Sequence, residues 1–160
     1  MRGCPWITKP GVILLCVLTV MTTGYVWHRV DTGNFHTVVP GKLYRSGQMT
    51  EGQWAAYFQK YAIKSLLNLR GEHQGSGWYQ GEVRTAAQLG VTHYDVKLSA
   101  IREVDSGTLE TILAIMWQAS KPLLMHCQSG ADRSGLIASL YLFAIEGQRA
   151  ETAAQQLSLF

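Results

Sequence analysis

Residues 10–27 carry no charged side chain, and Val12, Ile13, Leu14, Leu15, Val17, Leu18, Val20, Met21, Val26 and Trp27 make most of the run apolar. That length sits at the short end of the roughly 17–25 residues that cross a bilayer as a helix. Beyond it the pattern breaks into short pieces of alternating character. Residues 29–41, with Gly33, Pro40 and Gly41, read as a linker, and residues 42–45 as a short strand. Thr50-Glu51-Gly52-Gln53 has the form of a capping box, and Trp54, Tyr57, Phe58 and Tyr61 follow at helical spacing, a stripe suited to a core. Residues 65–69 are an apolar run fit for a buried strand; Gly71, Gly75 and Gly77 mark a loop, and residues 82–89 a helix. Tyr94, Val96 and Leu98 alternate as a strand, with His93 and Asp95 on its expected outward, polar face. Leu109, Ile112, Leu113 and Met116 repeat the helical spacing, Pro122 interrupts it, and residues 123–125 form another buried strand. Leu136, Ile137, Leu140 and Tyr141 predict one more helix, and residues 150–160 the start of another.

Strands that alternate with helices predict an α/β fold, a central mostly parallel sheet flanked by helices, preceded here by one N-terminal transmembrane helix. The expected organisation is a basic flank at 1–10, a signal anchor at 11–28, a linker at 29–41 and a folded domain at 42–160. The domain's helical pattern at Leu157 to Phe160 stops at the chain end, so a truncated domain is one expectation. In such folds ligands bind beyond the carboxyl ends of the strands.

Charge changes this picture in two ways. Of 14 basic residues in the 160-residue chain, Arg2, Lys9 and Arg29 fall in the first thirty, leaving eleven basic against eleven acidic in the remainder. No Lys/Arg cluster is left to bind a polyanion, so nucleic acid is not an expected partner. Arg2 and Lys9 before the apolar run favour a cytoplasmic N-terminus and an extracytoplasmic domain anchored by a single pass. A cleaved signal peptide is the alternative, although Thr22, Thr23 and Gly24 make a poor cleavage site. A buried soluble helix is a third.

Cys4, Cys16 and Cys127 form no C-x-x-C pair and have no histidine at metal-ligand spacing, so no metal or disulfide scaffold is indicated. Cys127 begins the stretch His126-Cys127-Gln128-Ser129-Gly130-Ala131-Asp132-Arg133-Ser134, between a predicted strand and a predicted helix. A loop in that place can turn the backbone N–H groups of residues 128–133 toward an anion. Cys127 would lie beneath a bound phosphate while Arg133 grips two of its oxygens. Helix dipole, amides and Arg133 all favour the thiolate, which is the nucleophilic form. Ser134 is placed to stabilise the sulfur as it leaves, and Gly130 supplies backbone freedom.

This stretch resembles the signature of the cysteine-dependent protein tyrosine phosphatases, in their bacterial dual-specificity branch. Leu43-Tyr44-Arg45-Ser46-Gly47-Gln48 and Leu67-Asn68-Leu69-Arg70-Gly71-Glu72 are similar to segments of bacterial members, so the likeness spans roughly residues 34–160. The resemblance implies a two-step reaction without metal or cofactor: Cys127 attacks phosphorus, an acid protonates the leaving oxygen, and water frees phosphate. It implies a structural role for His126. The family's acid is an Asp after the strand that precedes the signature, and none stands at that place here. Glu103 is the first candidate, with Asp132 and Asp105 as rivals, Asp105 reading equally as a helix cap. Arg45 and Arg70 are candidate substrate contacts, with a solvent-facing role as the alternative, and Trp78 and Tyr79 either flank an aromatic group or cover the core.

The substrate expected is a phosphorylated protein or small phosphomonoester, phosphotyrosine first, with phosphoserine and phosphothreonine as additions. Residues 128–132 include no lysine, and Asp132 would repel a second phosphate by about 1–4 kcal/mol, which disfavours inositol polyphosphates. A phosphate-binding pseudophosphatase, an inositol-phosphate phosphatase and a rhodanese-like sulfur transferase are the alternatives.

Overall fold

The computed structural model describes residues 9–157. Arg2, Cys4 and the last three residues of the terminal helical pattern lie outside the described residues, as does the side chain of Lys9. Two compact units divide the chain at Thr32 and Gly33.

The first unit is helix α1 (Lys9–Asp31), three residues longer at its C-terminal end than the expected anchor. It is apolar all round, without the one-sided stripe of a helix that packs on a core. The hydroxyls of Thr19 and Thr22 donate to the carbonyls of Leu15 and Leu18 at 2.8 and 2.9 Å, so these two are satisfied within the helix. It is long and apolar enough to cross a membrane.

The second unit runs β1 (His36–Val39), β2 (Leu43–Ser46), α2 (Glu51–Lys60), β3 (Ser65–Asn68), α3 (Gly77–Gln88), β4 (Thr92–Asp95), α4 (Ser106–Gln118), β5 (Leu123–His126), α5 (Asp132–Ala144) and α6 (Ala150–Ala153). The strands form one sheet in the order β1-β2-β5-β3-β4. β2, β5, β3 and β4 are parallel, and β1 is antiparallel to β2. The register sets Ser46, His126, Asn68 and Asp95 side by side, so the parallel strands end together.

Alternate strand residues feed opposite faces. Leu43, Leu67, Leu123 and Met125 pack with Ile112, Met116, Ile137 and Tyr141 of α4 and α5. Tyr44, Leu66 and Leu124 pack with Trp54 and Phe58 of α2 and Ala86 of α3. The capping box forms as the sequence predicts: Gln53 N–H donates to Thr50 Oγ1 at 3.3 Å and Thr50 N–H to Gln53 Oε1 at 2.9 Å. The stripe behind it divides. Trp54 and Phe58 are buried, whereas Tyr57 and Tyr61 stack on Phe35 with centroids 4.5 and 4.6 Å apart.

Three expectations need correction. Residues 29–41 are not a plain linker, because they hold the end of α1 and the edge strand β1, whose Val38 and Val39 pack on the core. Four residues with a register shift between Thr37 and Val39 are too short and irregular to show alternation. α3 starts at Gly77, ahead of the expected Glu82, since burial of Tyr79 outweighs the poor helix propensity of Gly77 and Gly81. After residue 150 there is a single turn of α6 and a 3-10 turn, Ala154–Gln156.

Candidate active site

β5 is buried along its whole length and delivers His126 and Cys127 to the carboxyl edge of the sheet. Chain reversal into α5 then takes only residues 127–131. Gly130 makes this possible with φ +77°, and a Cβ there would lie 2.5 Å from the Gly47 nitrogen. Neighbouring segments grip the loop from outside. Cys127 N–H donates to the Ser46 carbonyl at 3.3 Å, Gln48 N–H to the Gln128 carbonyl at 3.1 Å, and Asn34 Nδ2 to the Ser129 carbonyl at 2.8 Å.

Inside the loop, Cys127 Sγ receives the Gly130 N–H at 3.2 Å and lies 3.6 Å from Ser134 Oγ. Burial pushes the thiol pKa up, but the Ser134 hydroxyl and N–H, the Gly130 N–H and the Arg133 charge outweigh it, and the pKa falls below the ordinary value. Arg133 is aimed by two carbonyls, its Nη1 lying 3.3 Å from Leu98 O and 3.5 Å from Leu69 O. Gln128 and Ser129 are exposed, Ala131 and Ser134 buried. Cys127, Gly130, Arg133 and Ser134 therefore converge as the sequence predicts. The arrangement presents an acidic thiol, backbone donors and a fixed guanidinium to one place.

The three candidate acids have different surroundings. Asp105 is the N-cap of α4 and accepts from Thr108 N–H at 2.9 Å and Thr108 Oγ1 at 2.6 Å. Those bonds hold its carboxyl below the usual carboxylate range. Asp132 is exposed as the first residue of α5. Glu103 is exposed on the loop that follows Leu98, the residue whose carbonyl orients Arg133.

Further residues depart from their sequence reading. Arg45 is buried on the α5 face and donates to the Gln156 carbonyl at 3.0 Å. Arg70 stays at the site: Nη1 donates to Gln48 Oε1 at 2.8 Å and the guanidinium lies 3.6 Å over the Trp78 ring. Burial and the nearby Arg133 charge lower its pKa. Tyr79 is buried and donates to Asp95 Oδ2 at 2.6 Å, so it covers the interior.

His93 is a correction as well, half-buried where Asp95 keeps the exposure expected. β4 is an edge strand, but α3 covers its polar face. His93 Nε2 lies 2.9 Å from Glu82 Oε1, its Nδ1 3.3 Å from Asp95 Oδ2, and Asn68 Nδ2 donates to Asp95 Oδ1 at 2.8 Å. Glu82 itself was not legible as a site residue. Its carboxylate is fully buried, 3.0 Å from His126 Nε2, and accepts from Gln48 Nε2 at 2.9 Å. Burial pushes its pKa up, yet the charge and hydrogen bond of His126 and the bonds from His93 and Gln48 bring it down to about 2. The signal available was spacing: Tyr79, Glu82 and Ala86 lie on one helical face, with Glu82 between two apolar residues.

A family model described as the tyrosine phosphatase family matches residues 28–155. The chain belongs to that family. Two curated relatives within reach are dual specificity protein phosphatases TpbA from strains of Pseudomonas aeruginosa, 26% identical over 117 residues and 27% over 143. The matches cover 72% and 87% of this chain but only 49% and 61% of the relatives, so it spans about half to three fifths of their length. Among solved structures, the core catalytic domain of the S. cerevisiae PP-IP phosphatase SIW14, in complex with citrate, aligns with a TM-score of 0.66 at 24% identity, covering 78% of this chain and 73% of that one. P. aeruginosa TpbA, as a Cys-to-Ser variant in complex with pTyr, aligns with a TM-score of 0.59 at 23% identity, covering 78% and 72%. These likenesses establish a shared phosphatase fold.

Proposed function

We propose that this member of the tyrosine phosphatase family hydrolyses phosphomonoesters on proteins, phosphotyrosine first, through a cysteinyl-phosphate. The observation that carries the reading is the acidified Cys127 thiol under a loop whose Arg133 is held ready by the carbonyls of Leu69 and Leu98. The thiolate attacks phosphorus, an S–P bond forms, and the P–O bond breaks as Glu103 gives its proton to the leaving oxygen. Water then attacks the phosphocysteine and returns a proton to Glu103. Sulfur departs as a thiolate that Ser134 stabilises. Phosphate oxygens are held by the N–H groups of 128–133 and the two-pronged guanidinium of Arg133. Neither step calls for a cofactor.

Phosphotyrosine is favoured over a polyphosphorylated ring because residues 128–132 carry no positive side chain and Asp132 adds a negative one. The name of the TpbA relatives and the pTyr held in one TpbA structure support the same choice. Cys127→Ser should abolish turnover and retain vanadate binding, whereas Arg133→Lys should lose both, since a point charge cannot replace the fork. In the same assay, an inositol polyphosphate with a higher kcat/KM than a phosphotyrosine peptide would overturn the substrate class. We place the catalytic unit outside the cytoplasm, anchored by α1. Protease added to spheroplasts should then remove it; protection until lysis would reverse the orientation.

A further inference from the structure

Behind the signature loop lies a chain of polar groups, buried at Glu82 and His126, to which the reaction assigns no part. Glu82 Oε1 stands between two imidazoles, His126 Nε2 at 3.0 Å and His93 Nε2 at 2.9 Å. The other nitrogen of each ring also faces an acceptor, the Cys127 carbonyl at 3.3 Å from His126 Nδ1 and Asp95 Oδ2 at 3.3 Å from His93 Nδ1. A ring whose two nitrogens both face acceptors is satisfied in full only as an imidazolium, with a proton on each. The row Asp95, His93, Glu82, His126 thus alternates carboxylate and imidazole and ends in a ring beneath the backbone of the nucleophile. Glu82 Oε2 works in a second direction. It takes the Gln48 side chain at 2.9 Å, whose Oε1 takes Arg70 at 2.8 Å, while the Gln48 backbone N–H holds the loop at Gln128.

We infer that Glu82 is a positioning residue of this site, one buried carboxylate of α3 that keeps His126 doubly protonated under Cys127 and braces Arg70 at the mouth through Gln48. The inference rests on the phosphatase reading of the site but concerns a residue that touches no substrate. Its effect on the nucleophile is one of sign. The ring meets the Cys127 backbone directly and the carboxylate reaches it only through the ring, so the pair as a whole favours the thiolate. Loss of the carboxylate charge lets His126 give up a proton, and the benefit goes with it. The groups facing the row are named in full by the packing: His126 on β5, His93 and Asp95 on β4, Asn68 on β3, Tyr79 on α3 itself, and Gln48 after β2, with Arg70 and Arg133 facing Cys127. The surface pair Arg84 and Glu51, 2.8 Å apart, lies on the same side of the sheet but is solvent-exposed.

The test is Glu82→Gln in the full-length chain, which keeps size and an acceptor oxygen but removes the charge. Alkylation of Cys127 by iodoacetamide, followed across pH by peptide mass spectrometry, should show its midpoint raised by about one unit. That is a roughly tenfold loss of thiolate on the acid side. On a phosphotyrosine peptide, kcat should fall about tenfold or more with KM changed less. A midpoint that stays put or moves down in the folded variant overturns the inference. Should Glu82→Gln fail to fold, the wild-type protein still decides: nitrogen NMR of its histidines should show the His126 ring protonated on both nitrogens near neutral pH, and a neutral ring would overturn the proposal. Alkylation does not depend on turnover, so the two readings fail apart. A wild type with an acidic thiol but no hydrolysis of any phosphoester fails the phosphatase reading alone.

Discussion

Two residues apart on one loop, Glu103 and Asp105 are offered different work by their surroundings. A general acid must hold a proton at the working pH, and Asp105 is kept ionised by Thr108 while it caps α4. Glu103→Gln should therefore cut kcat on a phosphotyrosine peptide by about 100-fold, with far less effect on an aryl phosphate whose leaving group is already stable. Asp105→Asn should leave the rate and lower the melting temperature. A rate loss that follows Asp105 or Asp132 instead would move the acid assignment. The contrast with Glu82 shows what a sequence makes visible at this scale. Cys127 and Arg133 were legible because one short loop fixes their distance, and five intervening residues spell it. Glu82 meets His93 from eleven residues away and His126 from forty-four, so its helical spacing shows an inward face but not those partners.

Between residue and fold stands the tight turn from β5 into α5. Gly130 adopts φ +77°, and a methyl group there would meet the backbone of Ser46 and Gly47 at 2.7 and 2.5 Å, atoms that cannot swing aside. Gly130→Ala should cost on the order of 1–3 kcal/mol in backbone strain, and loss of vanadate binding should accompany a lower melting temperature. Gly107→Ala is the matched control: its Cβ would come no closer than 3.4 Å, to Asp105 Oδ1, in the first turn of α4. That change should be neutral or slightly stabilising, and equal damage from both would show that crowding at Gly130 is not the cause. Elements of this kind were readable wherever one face met the core. The capping box of α2, the apolar strands β3 and β5 and the stripes of α4 and α5 all declare themselves by periodicity. β1 did not, since four residues with a bulge carry too little pattern, and the first turn of α3 did not, because tertiary burial of Tyr79 decides it.

For the molecule as a whole, the buried Glu82 carboxylate under the loop ties stability to pH. The Glu82 carboxyl titrates near 4.5 when unfolded and is brought down to about 2 in the fold. A depressed carboxylate stabilises the native state above the unfolded value, and that contribution is lost as pH falls through the window between the two. Acid unfolding should therefore weaken by an amount on the order of 3 kcal/mol in Glu82→Gln, read as a flatter dependence of melting temperature on pH below 4.5. A slope equal to that of the wild type would place the acid sensitivity elsewhere. The loop's restraints come from Asn34, Ser46, Gln48, Leu69 and Leu98, at or beyond the ends of different strands and scattered along the chain. The nine-residue signature is consequently not portable. A synthetic peptide of residues 126–134 should titrate like any free cysteine and show no affinity for vanadate, and the same nine residues grafted onto a foreign hairpin should do no better. What would have to be transplanted is the whole carboxyl rim of the sheet.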